Sequence, residues 1–364
     1  MEEKYRKNIY CEWRFLEDYL SKIEDETVGV EELQRFMLYT YIKSLLLSPY
    51  VNLFLDVKRE DFDDRLDKSK SLMREAKSNP EIKLTSFDHL IIEMNQKISE
   101  ANWHLKLEGD KFIHIEELVD LDQSHLDSIY LSCTTENVCA KAMDNWGILA
   151  VSPENISELS SFVYDNGVAI RRNDFGNWRS ILKSKIPVCN AMLIVDNYLL
   201  NDVEQLNENL QLILDSVLPK HLHGNIPFHL AVITALKRDK KTDLPSKDRL
   251  SKIREMVAKL RPNIEMKITI LKCSSNVFHD RIILTNNLWI SCGGGFDLFK
   301  RKKATKTTTV NVVCPFLTDS ILWSHDGYSN LILAVKKLWG NKTPFISDSF
   351  PSFYVGDGEN RLVD

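Results

Sequence analysis

Past residue 118 the hydrophobic pattern of this chain changes period. Residues 128–133 (SIYLSC) and 147–152 (GILAVS) are short apolar runs flanking a helical stretch at 136–145, an order that predicts a β-α-β unit. More strand-like runs follow at 191–195, 228–234, 266–271, 281–284, 288–291 and 307–313, with helical patterns at 202–217 and 247–260 between them. Alternation of this kind predicts a mixed, mostly parallel sheet covered by helices on both faces. The first hundred residues read as helix instead. Ile9, Trp13, Leu16 and Leu20 recur at helical spacing, as do Leu33, Phe36, Met37, Tyr41 and Leu45. Residues 56–77 form a highly charged amphipathic helix stopped at Asn79-Pro80, and Thr85-Ser86 caps another from Phe87 to about Trp103. The expected fold class is therefore α+β or α/β. A helical domain over 1–118 precedes a mixed α/β domain over 119–340, and a Ser/Pro/Gly-rich tail over 341–364 hugs the surface or frays.

Composition narrows the function classes. With 364 residues, 43% hydrophobic and 27% charged, the chain is an ordinary globular protein of two or three domains, which excludes wholesale disorder and a collagen-like repeat. Its seven cysteines are scattered and include no CxxC pair, so they read as reduced core residues, with no disulfide framework and no metal centre. The opening MEEKYRKNIYCEW lacks an apolar signal segment, and no apolar run approaches a membrane span. The expectation is a cytoplasmic protein that is not integral to a membrane. Net charge is −5, from 47 basic against 52 acidic residues, which leaves room for a local basic patch.

Residues 278–299 (FHDRIILTNNLWISCGGGFDLF) carry the chemistry. His279 opens a hairpin whose strands are RIIL and LWIS, with Thr285-Asn286-Asn287 as the turn; Gly293, Gly294 and Gly295 then allow a tight bend. The spacing resembles the motif of the phospholipase D superfamily: a His-x-Lys, four residues, an Asp, six residues, a Gly. His279 takes the His position, Arg281 the Lys, Asn286 the Asp and Gly293 the Gly. The His-Asp-Arg run and the Gly-Phe-Asp-x-Phe close also resemble the C-terminal phospholipase D-like domain of MIT-domain proteins and bacterial HDR-type domains.

That resemblance implies a phospholipase D-like α/β domain that pairs as a homodimer and binds without catalysis. Arg281 is the phosphate clamp, a guanidinium being suited to bidentate grip. Lys300, Arg301, Lys302 and Lys303 follow the glycine bend, giving six basic against two acidic residues over 279–306. A basic loop beside such a bend suits phosphate, on nucleic acid or on an anionic lipid headgroup. The ligand-binding set is thus Arg281, Asn286, Gly293–Gly295 and Lys300–Lys303, with no cofactor, and the N-terminal helices are left for a partner protein. An interaction component of a bacterial defence or mobile-element system fits this by analogy. The competing class is a metal-independent phosphodiesterase with His279 as nucleophile across a dimer. Asp196, at the end of an apolar strand and the carboxyl edge of the sheet, reads as a cap for the next helix or as a site residue, with the cap favoured, and Asp174-Phe175-Gly176 is given no role.

Overall fold

The computed structural model describes residues 5–20, 39–98, 103–118, 123–155, 167–182, 186–201, 203, 206–222, 226–235, 245–274, 278, 281–316 and 325–364. The chain divides into two compact units, Met1–Ala142 with Leu149–Val163 and Phe316–His325, and Met143–Ile148 with Tyr164–Pro315 and Asp326–Asp364. Both combine helices with sheet, so the α+β class holds.

The first unit contains β1 (Lys7–Cys11), α1 (Trp13–Leu20), β2 (Val51–Leu55), α2 (Arg59–Ala76), α3 (Ser86–Ile98), β3 (His104–Leu107), β4 (Ser128–Leu131), α4 (Glu136–Trp146, its last turn counted with the second unit) and β5 (Leu149–Val151). The five strands form one sheet in the order β3-β2-β1-β4-β5, parallel throughout. This corrects the reading of 1–118 as a helical domain. Ile9 and Trp13 are four residues apart, as on a helix, but Ile9 lies in a strand and Trp13 begins the helix after it. The strand is masked by its polar residues. Lys7 is buried and ion-pairs with Asp127 at 2.6 Å, and Asn8 accepts from the Asn52 amide at the facing position, 2.9 Å away. Central β1 and β4 are buried along nearly their whole length, as a doubly covered parallel sheet requires, whereas edge strand β3 alternates exposed and half-buried residues. Two charged helices form where the sequence places them, α2 within three residues at either end. α3 is shorter than its expected run to about Trp103, with Ile98 its last helical residue among those described and Trp103 outside it. In α3, Thr85 Oγ1 accepts the Asp88 amide at 3.1 Å and Asp88 accepts the Thr85 amide at 2.9 Å, a reciprocal cap.

The second unit adds β6 (Val168–Ile170), α5 (Trp178–Leu182), β7 (Ala191–Val195), a π turn (Leu206–Leu210), α6 (Gln211–Val217), β8 (Phe228–Thr234), α7 (Ser246–Leu260) and β9 (Met266–Lys272). It continues with β10 (Ile282–Thr285), β11 (Trp289–Cys292), β12 (Phe299–Lys300), β13 (Lys303–Ala304), β14 (Thr308–Val313), α8 (His325–Gly340) and β15 (Phe353–Gly356). Eight strands form a sheet in the order β15-β9-β8-β7-β10-β11-β14-β6, and β12-β13 is a separate hairpin. Only β7, β8 and β9 run parallel; every other pairing is antiparallel, so this sheet is mixed and not mostly parallel.

The tail over 341–364 is part of this sheet, a second correction. β15 pairs with β9, Phe353 is fully buried, and the Arg361 guanidinium donates to the Asn190 carbonyl and side-chain oxygens at 3.1 and 2.9 Å. A short strand, punctuated by Pro and Gly and held by distant side chains, carries little periodic signal of its own.

Candidate phosphate-binding surface

The structure distributes the expected site residues over three places. Asn286 stands at the far end of the β10-β11 hairpin, five residues from Arg281 or about 16 Å along an extended strand. It is 3% exposed, its Oδ1 accepts the Asn190 and Ala191 amides at 3.0 Å each, and its Nδ2 donates to Asn190 Oδ1 at 3.1 Å. Its carboxamide is a clamp on the start of β7, which corrects its assignment to a ligand site. His279 and Asp280 lie outside the described residues.

The glycine bend is the second place. Gly295 has φ +89°, and a Cβ there would come within 2.7 Å of Asp297 Oδ1, so a glycine is required. The bend offers no open cradle of amides at 294–296. Gly294 N–H donates to Thr308 Oγ1 (2.8 Å), Gly295 N–H to the Cys292 carbonyl (3.0 Å) and Phe296 N–H to Asp196 Oδ2 (2.8 Å). Asp196 also takes the Tyr198 and Leu199 amides on Oδ1, at 2.7 and 2.8 Å. It therefore ties the end of β7 to the bend, and burial raises its carboxyl above the usual range despite those three amides. Beside the bend, Arg281 is held loosely. Its Nη1 reaches the Gly293 carbonyl at only 3.5 Å, its guanidinium lies 5.6 Å from the Tyr198 ring centre, and among the described residues its buried Nε has no hydrogen-bond partner.

The third place is the β12-β13 hairpin. Phe299 pairs with Ala304 and Lys300 with Lys303, leaving Arg301 and Lys302 as a two-residue turn with φ +51° and +61°. Both central residues at positive φ define the type I′ turn, which ordinarily takes Asn-Gly. An arginine and a lysine there cost roughly 1–2 kcal/mol each. Several contacts impose the geometry. In the π turn, consecutive residues reach the hairpin: Glu208 accepts the Arg301 amide (2.7 Å), while Asn209 accepts the Phe299 amide (3.0 Å) and donates to the Phe299 carbonyl (2.9 Å). Asn209 also accepts from the indole of fully buried Trp178 at 3.0 Å. On the other side, residues 173–176 run along β13: Asn173 N–H donates to Ala304 O (2.8 Å), Ala304 N–H to Asp174 O (2.9 Å) and Gly176 N–H to Lys302 O (3.0 Å). Asn173 has φ +74°, so the non-glycine residues of positive φ among the described residues all fall here.

Sequence reasoning missed one flank of this surface. Phe175 is 79% exposed, the most exposed large apolar side chain among the described residues, and Lys303 Nζ stands 4.9 Å from its ring centre. Arg171 and Arg172 are exposed just before it. Over 167–182 and 296–309 together there are eight basic residues and two acidic ones. No ion pair engages the side chains of Arg171, Arg172, Arg301, Lys302 or Lys303 among the described residues, and the nearby Glu208 and Asp174 carboxylates are taken up by the Arg301 and Arg171 backbone amides, so basic charge predominates on this surface. The alternation of Arg171, Arg172 and Phe175 was legible as a basic-aromatic signal. Its pairing with a loop some 130 residues later was not.

The first unit carries a crevice of about 660 Å³ over the carboxyl ends of its strands, where α/β sheets commonly take ligands. Asp56, Asp61, Asp110 and Glu117 line it, and its cations are engaged, Lys58 with Asp110 at 2.9 Å and Arg14 with Asp18 at 3.3 Å. The turn into α1 is Cys11-Glu12-Trp13, without glycine, and the Trp13 amide already donates to the Asp56 carboxylate. Behind His114, Glu12 accepts from Ser132 Oγ and the Cys133 amide at 2.7 and 2.6 Å. This acidic, internally satisfied crevice is unsuited to phosphate. Among the described residues no cluster of His, Cys, Asp and Glu could hold a metal ion, and no helix is long and apolar enough to cross a membrane.

No protein-family model matches the chain, and no curated protein matches it.

Proposed function

We propose that the second unit is a non-catalytic, phospholipase D-like binding module that holds a phosphate-bearing ligand on the β12-β13 hairpin, with Arg281 as a further anion contact. One observation carries the reading. Arg301 and Lys302 occupy a turn whose backbone favours Asn-Gly, and the surrounding contacts force the strain on them. These two residues cost stability in that turn, and what they supply there is cationic side chains at a rigid tip. The excess of basic over acidic residues on this surface supports the same conclusion, as does the spent carboxamide of Asn286 for a binding rather than a chemical role. Two copies, as the family resemblance implies, would bring two hairpins to one polymeric ligand and raise avidity.

The test is the variant Lys300→Gln/Arg301→Asn/Lys302→Gly/Lys303→Gln. It removes four cations and supplies the preferred turn, so its thermal stability rises by about 1–2 kcal/mol while polyanion binding is lost. Measured on a single-stranded oligonucleotide, the slope of log K against log salt falls by up to about 3. Affinity and slope equal to wild type would refute the proposal, and folding loss cannot be invoked against a variant that melts higher.

A further inference from the structure

The ring of Phe175 is 79% exposed, and its ring contact among the described residues is with the Lys303 ammonium. It is exposed at the centre of the basic surface, and the backbone beneath it is fixed on both sides. An isolated bridge joins Phe175 to Lys303, and Gly176 N–H binds the Lys302 carbonyl. Arg171 N–H binds Asp174 Oδ2 at 2.7 Å and Arg172 N–H binds Thr307 Oγ1 at 3.1 Å, so the preceding residues are anchored too. The result is an anchored aromatic platform with the Lys303 ammonium over one face of the ring, the opposite face left for stacking, and exposed cations before and after it.

Resting on the phosphate-binding role of the hairpin, we infer that Phe175 is a stacking platform for an unpaired base, and that the ligand is a single-stranded nucleic acid. The chemistry separates this from the other phosphate-bearing partners. In a duplex the base faces are already stacked, and an exposed ring on a surface hairpin finds only the backbone. A single strand offers both a phosphate chain for Arg171, Arg172 and Lys300–Lys303 and π-faces for the ring, in the combination common to sequence-tolerant single-strand binders. A membrane requires a wider apolar face than one phenyl group. Among the described residues the other exposed large apolar side chains lie elsewhere in the sequence, at Ile98, Ile113, Tyr198, Leu333, Ile346 and Phe350, and the residue bridged to Phe175 is a lysine.

The experiment compares wild type, Phe175→Ala, Phe175→Trp and the four-fold hairpin variant. Each is titrated with a fluorescent 20-mer single strand, the matching duplex, and vesicles of mixed phosphatidylserine and phosphatidylcholine. Phe175→Ala is expected to weaken single-strand binding about 5- to 150-fold and to leave duplex binding and melting temperature unchanged. Phe175→Trp is expected to retain affinity, with indole emission quenched on binding. Equal single-strand affinity in wild type and Phe175→Ala, with loss only in the hairpin variant, would overturn the stacking role and leave the phosphate-binding role standing. Binding confined to vesicles would overturn the nucleic-acid assignment, and absence of binding to all three probes would overturn both.

Discussion

Several of the polar residues that stand out here serve the backbone. Asn286, Asp196 and Asn209 each bind main-chain amides left without a ladder partner, and each is almost wholly buried. His229 belongs with them. Its Nδ1 accepts the Arg361 amide at 3.1 Å, and burial, with the Arg361 charge adding to it, pushes its pKa down to about 4. The unfolded chain takes up this proton near pH 6.5, whereas the folded protein resists until about pH 4. The unfolded state thus binds more protons in that window, and stability falls as pH drops from 6.5 to 4 by about 3 kcal/mol in all. Denaturant midpoints measured between pH 4 and 7.5 should show this slope in wild type and lose it in His229→Gln. A single residue type told little about such roles, because a buried amide acceptor and a ligand contact use the same side chains.

At the scale of elements, the strand-rich second half was legible almost residue by residue. Runs at 191–195, 228–234 and 266–271 are strands within one residue, since the first two are buried throughout, the third is buried over its Ile268–Leu271 centre, and apolar residues dominate all three. The β10-β11 hairpin falls one residue later than its pattern suggests. Strands β1–β3 were illegible: they are four or five residues long, carry Lys, Asn and His, and adjoin helices whose period extends across the boundary. The edge strand β15 was missed for a different reason, since its position depends on close approach to β9. Gly356 has φ +105°, and a Cβ there would sit 2.0 Å from the Ile268 carbonyl oxygen. Gly356→Ala is expected to destabilise the second unit by about 3 kcal/mol or more, which chemical denaturation followed by circular dichroism would measure. A loss below 1 kcal/mol would mean that the tail is not held as a strand.

For the molecule as a whole, two sheets of different construction carry opposite electrostatics at their candidate surfaces. A net charge of −5 conceals both a basic hairpin and an acidic crevice. Phosphate-bearing small molecules should therefore avoid the first unit. ATP or NAD added to the four-fold hairpin variant carrying Arg281→Gln as well is expected to leave its melting temperature unchanged, and a rise by scanning calorimetry that is lost on Lys58→Gln would place an anion site in the crevice after all. Much of this was present in the sequence by itself: the α+β class, the second-half strands, the need for glycine at 295, and the run of cations at 300–303. These depend on hydrophobic period, backbone sterics and charge, which act over a few residues. Tertiary structure alone decided which groups are spent. Only long-range pairing puts Asn286 on β7, sets Arg301 and Lys302 in a strained turn against Glu208, and lays Phe175 beside Lys303. Those contacts span some 90 to 130 positions of chain, and no local pattern records them because burial and hydrogen bonding are settled by the fold and not by the neighbours in sequence.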